Sequence, residues 1–423
     1  MKVLLGITGG IAAYKTPELV RMFVKNGHEV KTILTDNAKY FVTPQTLETV
    51  SNNRCYDDLF SRARDIEHIS LTDWADVMVI APATANTIGK ICGGVCDDLL
   101  TTIILALDKP CFVFPSMNAK MLDHPAVCEN INKLEGWGYF VCEPESGELA
   151  CGTSGKGRLP DVKLIYEVVT SGMEKLITKQ TLNSKNVIVT AGSTKAYIDP
   201  VRYIENGSSG TMGVELTKQA WLRGANVTLV CNKDVVEKFP ESKYYAERII
   251  LCETTEDVLK NITEIFNDAD IYISAAALCD FKNEPKKDKI KKGTGEIVLK
   301  LKPSVDVFSA LSSKKTGQLM VGFALESSDM EKNAIKKLKS KYMDIIVANP
   351  VKAMGSRTSE VTIINRNGTK RRIKKAEKRI IAAEVLKEIE KLAATKATRA
   401  RESASSKVRK ANEAYTNESY IEN

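Results

Sequence analysis

The chain has 423 residues, 43% of them hydrophobic and 27% charged, with a net charge of +8. That is more chain than one ordinary core organises, so two or three globular domains are expected. No apolar run approaches the roughly 20 residues of a membrane span, and a basic balance suits anionic substrates.

The opening MKVLLGITGG meets glycines where a signal peptide would have a cleavage site. It reads as a buried first strand, which points to the cytoplasm. Val3–Ile7 is β-rich and Gly9–Gly10 break it. A helical pattern then runs through Lys25 to Asn26–Gly27, and Glu29–Leu34 is a second strand. This is a βαβ opening. Val77–Ala81 and Cys111–Pro115 are further apolar runs that end in small residues or proline. After a polar stretch near Glu174–Lys185 the pattern restarts. Strands are expected at VIVTAG, NVTLVC, IYISAAA, LMVGFA and DIIVAN, with a helix over Thr211–Arg223. Strands alternating with helices predict an α/β protein of two doubly wound, Rossmann-like or flavodoxin-like domains, residues 1–180 and 185–393. Residues 396–423 form a polar tail, a frayed helix or a disordered end. The run RNGTKRRIKKAEKR at 366–379 lacks interleaved aromatics and reads as a solvated turn and helix face, not as a nucleic-acid surface.

Ten cysteines are scattered without C-x-x-C pairs, and the histidines are His28, His68 and His124 alone. Free thiols are expected, and no ligand-spaced motif supports a metal site.

Gly6-Ile-Thr-Gly-Gly lies where a strand hands over to a helix, a place where backbone N–H groups face an anion. The spacing is not G-x-G-x-x-G, although Asp36 near the end of the second strand leaves a nicotinamide site open. Ala81-Pro-Ala-Thr-Ala-Asn-Thr, Asp97-Asp-Leu-Leu-Thr-Thr and Pro115-Ser-Met-Asn-Ala-Lys-Met follow further on, two of them at strand ends. In an open α/β sheet such segments gather in the crevice outside the C-terminal strand ends.

GITGGIAAYK, APATANTIGK, DDLLTT, PSMNAKM and ACGTSGKGRL, in this order, make residues 1–175 resemble the flavin-dependent cysteine decarboxylases, phosphopantothenoylcysteine decarboxylase among them. Leu122 stands where that family usually has Trp. The resemblance implies FMN, held around Gly9, Gly10, Thr35, Ala83, Thr84, Asn86, Thr101 and Met117. It implies a redox-neutral decarboxylation in which the oxidised thiol carbon accepts the electrons released with CO2 and is then reduced by the same flavin. It also implies three roles. His68 is the base, Asn118 holds the substrate carboxylate, and Cys151 protonates the enethiol from a glycine-rich flap. From the residues alone, His68 fits a satisfied histidine, Asn118 a helix cap and Cys151 a packing residue.

Residues 185–393 resemble the bacterial and archaeal phosphopantothenate–cysteine ligases through TAGSTKAYIDPVRYIENGSSGTMG, AAALCDF, KIKK, VDV, GFALES and KLKSKYMDIIVAN. Ser193, Lys195-Ala196, Gly207 and Thr211 depart from the usual residues. The resemblance implies that 4'-phosphopantothenate is activated by CTP with Mg2+, that an acyl-cytidylate forms, and that the amine of L-cysteine displaces CMP. Asn206 would hold the acyl intermediate and Lys289 would act in amide formation. Ala277, Asp280, Lys289, Val305, Asp306, Val307, Phe323, Lys337 and Lys341 would bind the nucleotide. The ligase product, phosphopantothenoylcysteine, is the decarboxylase substrate. Family members assemble as homo-oligomers, trimeric through the flavin domain and dimeric through the ligase domain, which implies a dodecamer. A scaffold relative that had lost catalysis would lack His68 or Cys151, and a nicotinamide dehydrogenase would leave everything after residue 185 unexplained.

Overall fold

A computed structural model describes residues 1–60, 66–148, 152, 154–292, 296–326, 329–351, 356, 358–396 and 398. The chain divides after Ile177 into two compact units.

The first unit is built on six parallel strands in the order β3-β2-β1-β4-β5-β6. They are β1 (Lys2–Ile7), β2 (Glu29–Leu34), β3 (Cys55–Tyr56), β4 (Val77–Ala83), β5 (Cys111–Pro115) and β6 (Phe140–Val141). All seven residues of β4 and all five of β5 are buried, as strands covered on both faces require. The helical pattern after Gly10 resolves into a 3-10 turn, Ile11–Lys15, and an α-helix, Thr16–Lys25. Pro17 lies in the first α-turn, where its missing N–H leaves no gap. Leu19, Val20 and Phe23 form the buried face of that helix. Full burial of a side chain such as Phe23 contributes about 1.5–3 kcal/mol. Gly27, at φ +80°, turns the chain into β2. A hairpin follows the sheet, β7 (Glu145–Glu148) antiparallel to β8 (Ser154–Arg158). Cys151 lies in its connection, outside the described residues.

The second unit repeats the wiring. Its eight-stranded sheet has the order β13-β12-β9-β14-β17-β18-β19-β20. The parallel strands are β9 (Asn186–Ala191), β12 (Asn226–Cys231), β13 (Arg248–Leu251), β14 (Ile271–Ser274), β17 (Leu319–Glu326) and β18 (Ile345–Pro350). Two small hairpins interrupt the order, β10 (Lys195–Tyr197) with β11 (Tyr203–Glu205), and β15 (Phe281–Lys282) with β16 (Lys302–Pro303). Alternate residues feed opposite faces. Val187, Val189, Ile271 and Ile273 enter one core, and Ile188, Tyr272 and Met320 the other.

The basic run at 366–379 differs from its expectation. It forms a turn and β20 (Lys370–Glu377), antiparallel to β19 (Thr358–Asn365), and only its last residues enter the helix over 378–396. A bulge in the pairing opposite Ser359–Val361 lets Ile373 and Ala376, three residues apart, both pack on the core, while the cations between them stay in water along an exposed edge strand. The helix buries Ile381, Ala382, Val385, Leu386 and Ile389 on the same core. The nine cysteines among the described residues are free thiols. No helix among the described residues is long and apolar enough to cross a membrane.

Candidate functional sites in the two units

In the first unit β1 has β2 on one side and β4 on the other, so connections leave in opposite directions and open a crevice at the C-terminal strand ends. A cleft of about 1180 Å3 occupies that position. Gly9, Gly10, Thr35, Thr84, Asn86, Met117 and Asn118 line it. Gly9 is pressed onto the neighbouring loop: a Cβ there would sit 2.3 Å from the Asn37 Cβ. Gly10 is roomier, with Thr84 at 3.6 Å and Pro82 at 3.9 Å from the same imagined atom. Backbone therefore forms the cleft floor at Gly10, where a flat ring system can approach without meeting a side chain.

Thr8, which the sequence reading passed over, ties the crevice together. Its buried hydroxyl donates to the Pro82 carbonyl at 2.7 Å and accepts the Thr84 N–H at 3.1 Å. Thr84 then caps the helix Ala85–Gly93 by accepting the Thr87 N–H at 3.4 Å. Two expected cofactor residues stand back from the opening. Ala83 is fully buried in β4, and its carbonyl accepts the Ser116 N–H at 3.0 Å. Thr101 is buried too, and its hydroxyl donates to the Asp98 carboxylate at 2.8 Å in a capping box. Asp98 in turn lines the cleft, and Lys90 joins it at 3.2 Å and Asp97 at 2.7 Å. That hydrogen bond from Lys90 holds the Asp97 carboxyl below its ordinary range. Asp36 also lines the cleft, paired with Lys39 at 3.0 Å.

Asn118 caps the short helix Ala119–Leu122, its Oδ1 accepting the Lys120 N–H at 2.9 Å. Gly157, at φ +145°, comes so close to this loop that a Cβ would lie 2.1 Å from the Met117 carbonyl oxygen. The Met117 N–H also donates to the Gly157 carbonyl at 3.0 Å. The hairpin is thus clamped beside Asn118. His68 is not among the residues of this cleft. It lies in the first turn of the helix Glu67–Trp74 and faces a separate depression with Phe60, Ile66, Cys96 and Thr102. The preceding Glu67 is buried and paired with Arg54 at 2.8 Å.

In the second unit the switch lies between β9 and β14, and a bridge joins Ser193 to Ala277 there. The glycines at this strand end and helix start are packed closely against protein. Gly192 and Gly210 press on Val235 at 2.6 and 2.7 Å, and Gly213 on the Ala191 Cβ at 2.4 Å. They let the helix Thr211–Leu222 pack directly on β9. The nominated residues are drawn together by hydrogen bonds. The Asn206 amide donates to the carbonyls of Ala277 at 3.3 Å and Leu278 at 2.9 Å. The Ser304 N–H donates to the Asp280 carbonyl at 2.8 Å, which brings Val305 alongside. Asp306 caps the helix Val307–Ser312 and pairs with Lys341 at 2.9 Å. Burial opposes ionisation of Asp306, but the Ser309 N–H and Lys341 outweigh it and hold the carboxyl low. Lys337 pairs with Glu326 at 2.7 Å, at the end of the strand that carries Phe323. Lys289 is exposed beside Val201 and Arg202, and its segment is tied to the β10–β11 hairpin. Among the described residues no three His, Cys, Asp or Glu converge as a metal site.

Two family models cover the chain, one described as Flavoprotein over residues 1–174 and one as DNA/pantothenate metabolism flavoprotein C-terminal domain over 182–393. The coenzyme A biosynthesis bifunctional protein CoaBC of Bacillus subtilis (strain 168) is 41% identical over 92% of this chain and 96% of its own length. The protein of the same name from Borreliella burgdorferi is 38% identical over 91% of this chain and 98% of its own. A cysteine/cysteine sulfinic acid decarboxylase from an unknown prokaryotic organism is 40% identical over 82% of this chain and 98% of its own.

Proposed function

The chain belongs to the bifunctional coenzyme A biosynthesis proteins, a flavoprotein decarboxylase domain followed by a ligase domain, and from that premise we propose the two reactions and their residues. In the second unit CTP activates 4'-phosphopantothenate, pyrophosphate leaves, and the amine of L-cysteine displaces CMP. In the first unit phosphopantothenoylcysteine loses CO2 to give 4'-phosphopantetheine. The observation that carries this reading is the match along nearly the full length of both partners, through both domains in the same order.

The first cleft fits FMN: it sits at the strand switch, its floor is backbone at Gly10, and its walls carry the hydroxyl and amide groups of Thr35, Thr84 and Asn86. When bound, FMN would take two electrons from the cysteinyl end of the substrate and return them after CO2 has left. Oδ1 of Asn118 accepts at its cap, and a side-chain amide NH2 is the kind of donor a substrate carboxylate takes. Glu148 and Gly152 line the cleft, and Cys151, which stands between them in the sequence, is the proton donor on this reading. His68 serves as base from a second copy of the chain, because its own depression is apart from its own cleft. This gives the homo-oligomer, a dodecamer on the family pattern, a chemical reason.

In the ligase, Lys337 and Lys341 supply point charges to the triphosphate, exchanging their present carboxylate partners for phosphate oxygens. Mg2+ enters with the nucleotide as its counter-ion. Asn206 holds the acyl group and Lys289 assists attack by the amine. Every substrate is a small water-soluble molecule, which suits the cytoplasm.

The purified protein should carry or take up FMN, seen as the visible band of an oxidised flavin. It should release pyrophosphate with CTP and phosphopantothenate, and CO2 from phosphopantothenoylcysteine. A protein that takes up no flavin, or that decarboxylates free cysteine in preference to the ligated form, would overturn the decarboxylase half. Failure to release pyrophosphate with any nucleoside triphosphate would overturn the ligase half.

A further inference from the structure

We propose that Asp199 is a positioning residue for the amide-forming step, pinning the peptide bond that follows Lys289. The role of Lys289 is taken from the ligase reading above; the tether itself stands on geometry.

Asp199 lies in the turn between β10 and β11, and its side chain has no exposed surface. Its Oδ1 accepts the N–H groups of Val201 at 2.8 Å and Arg202 at 2.9 Å, which closes the turn locally. Its Oδ2 reaches across 91 residues to accept the Ile290 N–H at 3.1 Å. The Arg202 guanidinium pairs with the same oxygen at 2.8 Å and donates to the Ile290 carbonyl. Further back, the Lys286 N–H donates to the Ile198 carbonyl at 2.9 Å. The segment between β15 and β16 is therefore fastened at two points on one hairpin, and the second lies immediately after Lys289. Burial alone would raise the Asp199 carboxyl, but the N–H groups of Val201, Ile290 and Arg202, with the Arg202 charge, hold it at about 2. It is an anion at every working pH.

The tether matters because a lysine has a long, freely rotating stem. Its ammonium group can be aimed only from a fixed backbone, and a misplacement of about 1 Å costs up to about 100-fold in rate. The same hairpin leads into Asn206, whose amide is bound to Ala277 and Leu278. One small hairpin thus adjoins the residue assigned to the acyl group and anchors the segment of the lysine assigned to amide formation. The lysines assigned to the triphosphate are fastened elsewhere, to Glu326 and Asp306. Loosening Asp199 should separate the half-reactions.

Asp199→Asn tests this with little change of shape. An asparagine keeps one acceptor oxygen. Used for the turn, it turns the NH2 toward the Ile290 N–H, donor against donor. Pyrophosphate release from CTP and phosphopantothenate without cysteine should stay within about two-fold, while amide formation falls about 10- to 100-fold. Trypsin cleavage of the folded protein after Lys289, Lys291 and Lys292, located by mass spectrometry, should accelerate. Ile290→Pro removes the donor from the other side of the bond and stiffens the backbone there. It should reproduce the loss of amide formation and the faster cleavage after Lys291 and Lys292, the bond after Lys289 itself becoming resistant to trypsin, which covers a misfolded Asp199→Asn. Equal loss in both half-reactions, no loss in either, or unchanged cleavage in both variants overturns the proposal. A wild type that forms no acyl nucleotide would sink the ligase reading, while the cleavage pattern would still decide whether Asp199 holds the segment.

Discussion

In the first sheet the parallel strands run β3-β2-β1-β4-β5-β6, and in the second β13-β12-β9-β14-β17-β18, the same order of entry. A glycine-bearing turn follows the first strand of each, yet the two turns are used differently. Around Gly10 the imagined Cβ has ordinary contacts, and the backbone faces an open cleft. Around Gly192, Gly210 and Gly213 the space is taken by Val235 and Ala191, and the glycines serve close packing of helix on strand. Polar tethers then gather the second site, from Asn206 and Asp199 to backbone groups and from lysines to carboxylates. The same sequence signal, small residues after a buried strand, yields an open cleft floor at Gly10 in one unit and packing joints in the other. What differs is whether the next loops supply a side chain to fill the gap.

The sharpest way to break the comparison is at His68, which the proposed decarboxylation takes as its base and which stands outside its own chain's cleft. His68→Asn should lower decarboxylation about 100- to 10,000-fold, the range for a positioned base, and leave the ligase rate and melting temperature unchanged. Mixing that variant with Asn118→Ala chains during reassembly should restore part of the lost CO2 release, since some sites then draw both intact residues from different copies. No recovery would mean that each chain completes its own site.

Gly213→Ala and Gly10→Ala sharpen the comparison of glycines. A methyl group at 213 meets the Ala191 Cβ at 2.4 Å and the Thr190 carbonyl at 3.0 Å, both on a buried strand that cannot yield. The second unit should lose about 1–3 kcal/mol, the cost of overpacking, visible as a lower melting transition in calorimetry of the full chain. At 10 the nearest atoms leave room, so stability should hardly change. FMN affinity should fall instead, measured by titration of the flavin-free protein. Equal stability losses at both positions would erase the distinction drawn here.

The central strands were legible because buried parallel strands carry continuous apolar runs. Strand ends were not. IYISAAA stops being strand at Ser274, since Ala275–Ala277 leave the sheet to meet Ser193 and Asn206. The run at 366–379 was misjudged because an edge strand with cations outward has the same composition as a solvated helix face. The first unit's cleft lies where glycines and Asn follow strands, a pattern the sequence carries openly. The linking residues were not legible: Thr8 and Asp199 act through backbone partners 74 and 91 residues away, and no local pattern marks such a reach. Asp199 left one trace, an Asp before Pro200 in a turn.

A milder effect concerns acid. Asp199 titrates at about 2 in the folded chain against an ordinary 3.8, so as pH falls the unfolded chain binds the proton first. Its contribution is complete above about pH 4 and is lost as pH drops toward 2. Hydrogen exchange of the β10–β11 amides should show wild type better protected than Asp199→Asn at neutral pH, with the gap closing across that window. A gap that persists at the acid end would mean that the carboxylate charge is not what holds the turn.

The smallest expected change in stability lies at Lys337 and Glu326. Their ion pair at 2.7 Å is half in water on the lysine side, and pairs of that kind contribute about 0–1 kcal/mol. Glu326→Gln should therefore leave the melting transition nearly in place. It frees Lys337 from a competing carboxylate, so the KM for CTP should fall a few-fold, while Lys337→Met should raise it. The opposed shifts follow only if the lysine trades one anion for another on binding. A parallel rise in both variants would mean that the pair binds nucleotide as a unit, and that the second site is preformed in the way the first cleft is.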